Sequence, residues 1–517
     1  MKNKIRLEYS GFIIFAARML SVGTGLAFQL MIARATTKPE YGIWFNMADL
    51  LSYFTLLSTA LPFWTLRFTA REKEGAVKTG LMANLVISII ATAVYVPLVP
   101  FLTSALGVPS NYAYLYFIVS AQIIELYTVN MLSACIRAKR PQCLGYGLLI
   151  EEIIKVALAY FLIIKLKQPL LGALLSLIVA YAIQIFYFSK IMAEELKQKI
   201  RWAYVKEWIK GSLANIYNVI GGQVANFIFI MLFIYGGEAA RSDYGAAAIV
   251  ANVIPYSFFL AFTLYPKLLA ERKLEDITAS LKLVLMFAIP MTIGAIAMPD
   301  SFVIILKSEY KESAIILRLL AIDALTRTLS QFFNSVIFGF ERLDEKAKIP
   351  LKQLVKSNIF KVFTLPYIHS AITLPTAFYV LTNFAYNQPL QAALYVTIIN
   401  MSARFAMFLI LYVIVRKTVQ VIIPWRNIAK YTFAAAIMGI ILYSPHFPFL
   451  PISPPTRITT TFGFTIAGGL LYATILLIID KEARGLIRSI WSEIRTEIRN
   501  ILPNSISRKV ENLWKKS

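Results

Sequence analysis

The stretch TGLMANLVISIIATAVYVPLVPFLTS, residues 79–104, runs for 26 positions without a charged side chain. At about 1.5 Å per helical residue it is long enough to cross a hydrocarbon layer of roughly 30 Å. In lipid only helices and closed barrels satisfy the backbone, and this stretch lacks the polar–apolar alternation of a barrel strand. It therefore reads as a membrane-spanning helix. Apolar blocks of about 20 to 27 residues, each of spanning length, recur along the chain. The 517 residues are 58% hydrophobic and 15% charged, against roughly 25% charged in soluble domains. No single soluble core hides that excess, and the fold class expected is all-α, a polytopic membrane protein.

Spans are expected at Ser10–Arg34, Tyr41–Leu66, Thr79–Ser104, Ala113–Ile136, Leu144–Leu166 and Leu170–Ser189, followed by a basic amphipathic linker, Lys190–Lys210. Six more follow at Gly211–Tyr235, Tyr244–Pro266, Ser280–Asp300, Ala314–Phe340, Ile359–Phe384 and Leu390–Arg416, then two at Tyr431–Ser444 and Ile458–Asp480. That gives about 14 transmembrane helices. An internal repeat divides them: Glu40-Tyr41-Gly42 followed by Pro62 is echoed by Asp243-Tyr244-Gly245 followed by Pro266, and Gly11, Gly23 and Gly25 by Gly211, Gly221 and Gly222. The expected organisation is an N-lobe of six helices (1–195), a C-lobe of six (196–416), two extra C-terminal helices (417–480) and a basic amphipathic cytoplasmic tail (481–517). Both lobes start on the same side, so the axis relating them lies along the membrane normal, and repeat-built transporters hold substrate between their halves.

The net charge is +24, and its placement decides its meaning. Of the 52 Lys and Arg, 39 fall on the even side together with both termini, 8 on the odd side and 5 inside spans. By the positive-inside rule both termini are cytoplasmic, in a multi-pass protein of the plasma membrane. The charge points to membrane lipids as partners, not to nucleic acid. Cys135 and Cys143 read as small reduced thiols, and with only His369 and His446 beside them no metal cluster and no cofactor are expected. The outer loop near Ser301–Ser313 carries only Glu309 and Glu312 with Lys307 and Lys311. That is too little for a glycan polymerase or ligase, so no catalytic residue is assigned and no enzyme is expected. No Walker-type glycine loop occurs, which leaves an ion gradient, a partner or the substrate gradient as energy source.

The pieces Ile32-Ala33-Arg34 with Glu40-Tyr41-Gly42, Asp243 to Ala248 ahead of Pro266, and Glu309 to Ala314 leading into Leu317-Arg318-Leu319-Leu320-Ala321 and Phe338-Gly339-Phe340 fall in order at successive spans. With them the chain resembles the oligosaccharide flippases (Wzx-type polysaccharide exporters) of the multidrug/oligosaccharidyl-lipid/polysaccharide exporter superfamily, over spans 1 to 12. The resemblance implies two lobes around a central cavity, alternately open to either face. It also implies a lipid-linked oligosaccharide, carried on a polyprenyl (di)phosphate, as the cargo, with glycosyltransferases of the same pathway as partners. A cation-coupled multidrug exporter of the same superfamily is the competing reading.

Ionisable groups inside a span are costly unless they face protein or water, so each is a functional candidate. Arg18, Lys155, Arg318, Arg327 and Arg404 are the cations, set against Asp49, Glu125, Glu151, Glu152 and Asp323. Arg18, Ser21, Gly25 and Gln29 share one helical face, as do Asp323, Arg327, Ser330 and Asn334, and Thr397, Asn400 and Arg404. A guanidinium fork grips phosphate oxygens in pairs and stays charged in poor solvent. Arg18 and Arg404, which have no partner within their own helices, and Arg327 are the phosphate-head candidates. Lys155 is spaced to pair with Glu151 and Glu152, Arg327 with Asp323, and Arg318 is near enough to a span end to snorkel. Asp49 is placed to neutralise Arg18 or to compete for the head group. By the repeat, Arg18 and Asp49 correspond to Asn218 and Asn252. The neutral face Asn215, Asn218, Gly222 and Asn226 suits sugar hydroxyls or simple helix packing.

Overall fold

The computed structural model describes residues 7–261, 264, 268, 273–340, 357–386, 388–443 and 454–485, without the side chains of 7–16, 18, 19, 211, 214, 215 and 454–457. Pro266, His446 and the tail beyond 485 lie outside the described residues. Within them every element is helical. The N-terminal half comprises α1 (Leu7–Ala35), α2 (Lys38–Phe54), α3 (Ala60–Ala70), α4 (Ala76–Ala105), α5 (Ala113–Val119), α6 (Ala121–Lys139), α7 (Gln142–Ala159) and α8 (Pro169–Ile191). The C-terminal half comprises α9 (Trp202–Ala251), α10 (Leu274–Ala297), α11 (Pro299–Leu306), α12 (Ala314–Phe340), α13 (Asn358–Asn383) and α14 (Pro389–Thr418). Helices α15 (Trp425–Leu442) and α16 (Pro454–Ile479) follow. Seven stretches are long and apolar enough to cross a membrane. On α4, Val86, Ile89, Ile90, Val94 and Phe101 are all exposed, as lipid-facing residues should be.

Several expected spans are broken where the chain needs polar or turning residues. Tyr41–Leu66 divides into α2 and α3 around a 3₁₀ turn at Leu56–Thr59, and Ala113–Ile136 divides at Ser120. The expected loop 301–313 is itself ordered as α11 and the turn Ser308–Ser313. Helix α2 starts on a capping box, with Thr37 N–H donating to Glu40 Oε2 at 2.7 Å and Pro39 in the first turn. Tyr112 Oη donates to the other Glu40 oxygen at 2.7 Å. Burial pushes the Glu40 carboxyl up, but the Thr37 amide, the hydroxyls of Tyr112 and Thr37 and the charge of Lys307 outweigh it and hold the group below its ordinary value.

Helix α9 is two antiparallel arms, 202–236 and 238–251, joined at a single residue. Gly237 has φ 84° and ψ 170°, a region essentially reserved to glycine. Phe229 and Tyr244 stack with centroids 5.0 Å apart, whereas fifteen residues of unbroken helix would separate them by about 22 Å. The sequence reading placed a loop over 236–243, and the structure replaces it with this one-residue reversal. Near the same end of the molecule, α2 and the second arm of α9 cross at their glycines. A Cβ on Gly42 would strike the Glu238 carbonyl and one on Gly245 would strike the Phe45 ring. The two copies of the acidic–Tyr–Gly motif thus flank one close contact between the halves, and the largest core cluster runs across it, from Tyr41 and Met47 to Ile228 and Ala246.

The reversal yields a direct prediction. Gly237→Ala should lower stability by about 1–3 kcal/mol, read as a lower thermal midpoint of the detergent-solubilised protein. Gly222→Ala, where an added Cβ meets nothing within 4 Å, should leave the midpoint unchanged or slightly raised. Equal midpoints for Gly237→Ala and the unaltered protein would refute the role of the positive φ.

Candidate functional site

Asp323 on α12 is the centre of the polar cluster in the C-terminal half. Its buried carboxylate accepts, at Oδ2, from Arg404 Nη1 of α14, and the same oxygen lies 3.5 Å from Arg327 Nε, one turn further along α12. Arg327 Nη2 donates to Asn252 Oδ1 at 2.9 Å, just past the second arm of α9. One carboxylate therefore serves two guanidinium groups, and one positive charge is left over. The arginine side chains are 26% and 30% exposed, whereas Asp323 is 2% exposed, so the surplus charge faces open space and its counter-charge does not. Asn400, one turn before Arg404 on α14, is buried beside His369 of α13.

The cluster is also incompletely hydrogen-bonded. Asp323 Oδ1, Thr373 Oγ1 and Asn334 Oδ1 are buried without a hydrogen-bond partner among the described residues. Each such group costs about 1–3 kcal/mol. Proteins rarely leave several together unless water or a ligand completes them.

In the N-terminal half, Lys155 is held by Glu151 at 3.1 Å and Glu152 at 2.8 Å, both on its own helix α7. Thr24 of α1 donates to Glu152 at 2.5 Å. The i, i+3 and i, i+4 spacing anticipated this structural pairing. Gln29 accepts from Tyr41 Oη at 3.1 Å. Arg18 lies on α1 with its side chain outside the described ones, as does that of Asn215. Asn218 is half-buried and Asn226 exposed, its Nδ2 3.5 Å from Gln223 Oε1. Arg318 lies 3.9 Å from Asp300, both partly exposed.

Two carboxylates meet arginines from other helices. Asp49, placed by the sequence to neutralise Arg18 or to compete for the head group, has its carboxylate gripped by Arg241, with Nε to Oδ2 at 2.6 Å and Nη2 to Oδ1 at 2.9 Å. Arg404, which has no partner within its own helix, is paired with Asp323 of a different helix. Spacing along a helix shows only partners on that helix. Arg241 itself falls between the expected spans Gly211–Tyr235 and Tyr244–Pro266, in an outer loop. The reversal uses only Gly237, so Arg241 lies inside the second arm with 7% of its side chain exposed. The rings of Phe45, Phe229 and Tyr244 surround its guanidinium at 4.8, 5.2 and 5.8 Å.

The Asp49–Arg241 pair belongs to a polar seam between the halves. Deeper than it, Ser52 bonds Gln223, and Tyr53 Oη reaches the Gln223 carbonyl at 3.3 Å. Toward the end carrying Gly237, hereafter the upper face, Lys38 pairs with Asp243 at 2.9 Å and Ser313 donates to the same carboxylate. Arg34, in the last turn of α1, donates to the Ile305 carbonyl at 2.8 Å, at the end of α11. Lys307, just past α11, donates to the Thr36 carbonyl at 3.0 Å, just past α1. Two helix C-termini thus meet, each carrying partial negative charge, and each holds the other's cation.

No protein-family model matches the chain, and no curated protein matches it. Solved structures do. A lipid II flippase, MurJ, in an inward closed conformation aligns with a TM-score of 0.62 at 15% identity, covering 90% of this chain and 100% of that one. The fold is that of known membrane transporters. An inward-facing multidrug resistance MATE family transporter of the MOP superfamily aligns at 0.59 and 11% identity, covering 79% of this chain and 98% of its own. A third MOP superfamily transporter, from Pyrococcus furiosus, whose binding pocket is described as of reverse polarity, aligns at 0.51 and 13% identity over 80% and 95% of the two chains. At these identities the likeness is one of fold.

The cluster makes a thermodynamic prediction. Asp323→Asn leaves two guanidinium groups without their counter-charge and should destabilise the protein by roughly 3–5 kcal/mol. Adding Arg404→Gln to it should restore part of that loss, as measured in a double-mutant cycle of thermal midpoints. Strict additivity of the two changes would show that the pair is not coupled.

Proposed function

We propose that this protein is a transporter that flips a polyprenyl-(di)phosphate-linked oligosaccharide from the cytoplasmic to the outer leaflet by alternating access between an N-terminal and a C-terminal six-helix lobe. The observation that carries the reading is the sharing of Asp323 by Arg327 and Arg404. It leaves one surplus positive charge, on two partly exposed forks, beside buried acceptors without a hydrogen-bond partner among the described residues. A phosphate offers the negative charge and the several acceptor oxygens that such a site lacks. Asn252 orients Arg327, and the face of α9 with Asn218 and Asn226 is available to sugar hydroxyls. Arg18 is a further phosphate candidate on α1. The fold shared with MurJ, a lipid II flippase by name, is consistent with a lipid-linked cargo.

A second reading has its own observation. Glu151 and Glu152 flank Lys155, and Glu125 Oε2 is buried without a hydrogen-bond partner among the described residues, carboxylates that would favour a cation in the N-terminal half. That is the multidrug-exporter reading, and it places the ligand in the other lobe.

Ligand-dependent thermal shift in detergent separates the two. A polyprenyl phosphate should raise the midpoint of the unaltered protein, and Arg327→Gln with Arg404→Gln should cut that shift by at least half. Lipophilic cations should have little effect. Stabilisation by the cations alone, unaffected by the arginine changes and lost in Glu152→Gln, would replace the flippase reading with the exporter one.

A further inference from the structure

The Asp49–Arg241 pair stands apart from the rest of the seam. It joins the two halves through a bidentate contact, with side chains 7% and 17% exposed, and three aromatic rings screen it from water. Neither group has another oppositely charged partner in the described contacts. Lys38, Arg34 and Lys307 lie nearer the upper face, and two of these three bond carbonyls of the opposite half.

Arg241 also lies on the same short arm as the proposed head-group site. The arm is a single helix from 238 to 251. It carries Arg241 near its start and ends on Asn252, whose side-chain oxygen Oδ1 accepts from Arg327. The two positions are eleven residues apart, about 16 Å along the axis. Between them Tyr244 is buried in the field of both groups, Arg241 on one side and Asp323, Arg327 and Arg404 on the other. The first arm of α9 is tied to α13 by Tyr217, stacked on Tyr367 at 4.5 Å and on Phe360 at 5.1 Å. The two arms meet only at Gly237, the residue whose backbone conformation interrupts the helix.

We infer that the Asp49–Arg241 ion pair is the latch that keeps the upper face closed, and that the 238–251 arm couples it to the head-group site, so that an anion engaging Arg327 through Asn252 draws Arg241 off Asp49. The coupling rests on the phosphate reading above, whereas the latch does not. The two halves part only when Asp49 gives up Arg241, as Asp243 gives up Lys38 nearer the upper face. By linkage, whatever loosens the latch must change anion affinity by the same factor by which the anion loosens the latch.

Double electron–electron resonance between spin labels at Ser110 and Glu312, exposed positions in opposite halves, reads the closure in lipid nanodiscs, in a Cys143→Ser background. Asp49→Asn and Arg241→Gln should each raise the open-to-closed ratio by roughly tenfold, within the range usual for coupled sites. The charge swap Asp49→Arg with Arg241→Asp should restore the closed distance, which a merely misfolded variant would not do. Adding decaprenyl phosphate should open the unaltered protein. By linkage, Asp49→Asn should tighten decaprenyl phosphate binding, titrated by thermal shift, by roughly the factor by which it opens the protein. Distances in Asp49→Asn and Arg241→Gln like those of the unaltered protein overturn the latch. An affinity for decaprenyl phosphate in Asp49→Asn equal to that of the unaltered protein overturns the coupling. Failure of decaprenyl phosphate to bind the unaltered protein refutes the head-group reading and the coupling with it, while the ligand-free distances still decide the latch.

Discussion

An ion inside hydrocarbon must find a counter-ion, a carbonyl or water, and this chain's organisation follows from how its intramembrane cations meet that demand. Lys155 does so within its own helix. Arg241 does so across the two halves, at Asp49, and its demand joins them. Arg327 and Arg404 share the one carboxylate of Asp323, with the amide oxygen of Asn252 as a further acceptor for Arg327, so the two charges have a single counter-charge between them. The first pairing lies within one helix, the second joins the two halves, and the third sets two charges against one.

The same demand explains what was readable in the sequence. The helical, membrane-spanning character follows from uncharged runs such as 79–104, because length and hydrophobicity act residue by residue and need no tertiary information. The Lys155 pairing is legible for a similar reason, since i+3 and i+4 neighbours are fixed by helix geometry. That Arg241 meets Asp49, and that Arg404 joins Arg327 at Asp323, depends on helices approaching from elsewhere in the chain, and spacing is silent on that. Arg241 was hidden twice. It lies beside a glycine pair that normally marks a loop, and its partner is 192 positions away. The acidic–Tyr–Gly copies were visible as an echo, but that they flank a single crossing emerges only from the missing Cβ atoms of Gly42 and Gly245.

Fold and site carry different weight in the functional argument. The likeness to transporter structures holds over most of the chain at 11–15% identity, and it includes proteins named for lipid cargo and for drugs. Architecture of this kind hosts more than one chemistry. Discrimination rests on local charge: two guanidinium groups on the one carboxylate of Asp323 in one half, and the buried carboxylate of Glu125 in the other.

The exchange of cations between α1 and α11 has a consequence for how readily the upper face comes apart. Arg34 sits in the last turn of α1 and Lys307 immediately after α11, so each side chain lies within a turn of its own helix end as well as its neighbour's. On separation each can retreat to cap the terminus it came from, trading one set of carbonyls for an equivalent set. Such a border resists little in either direction and supplies alignment instead of strength.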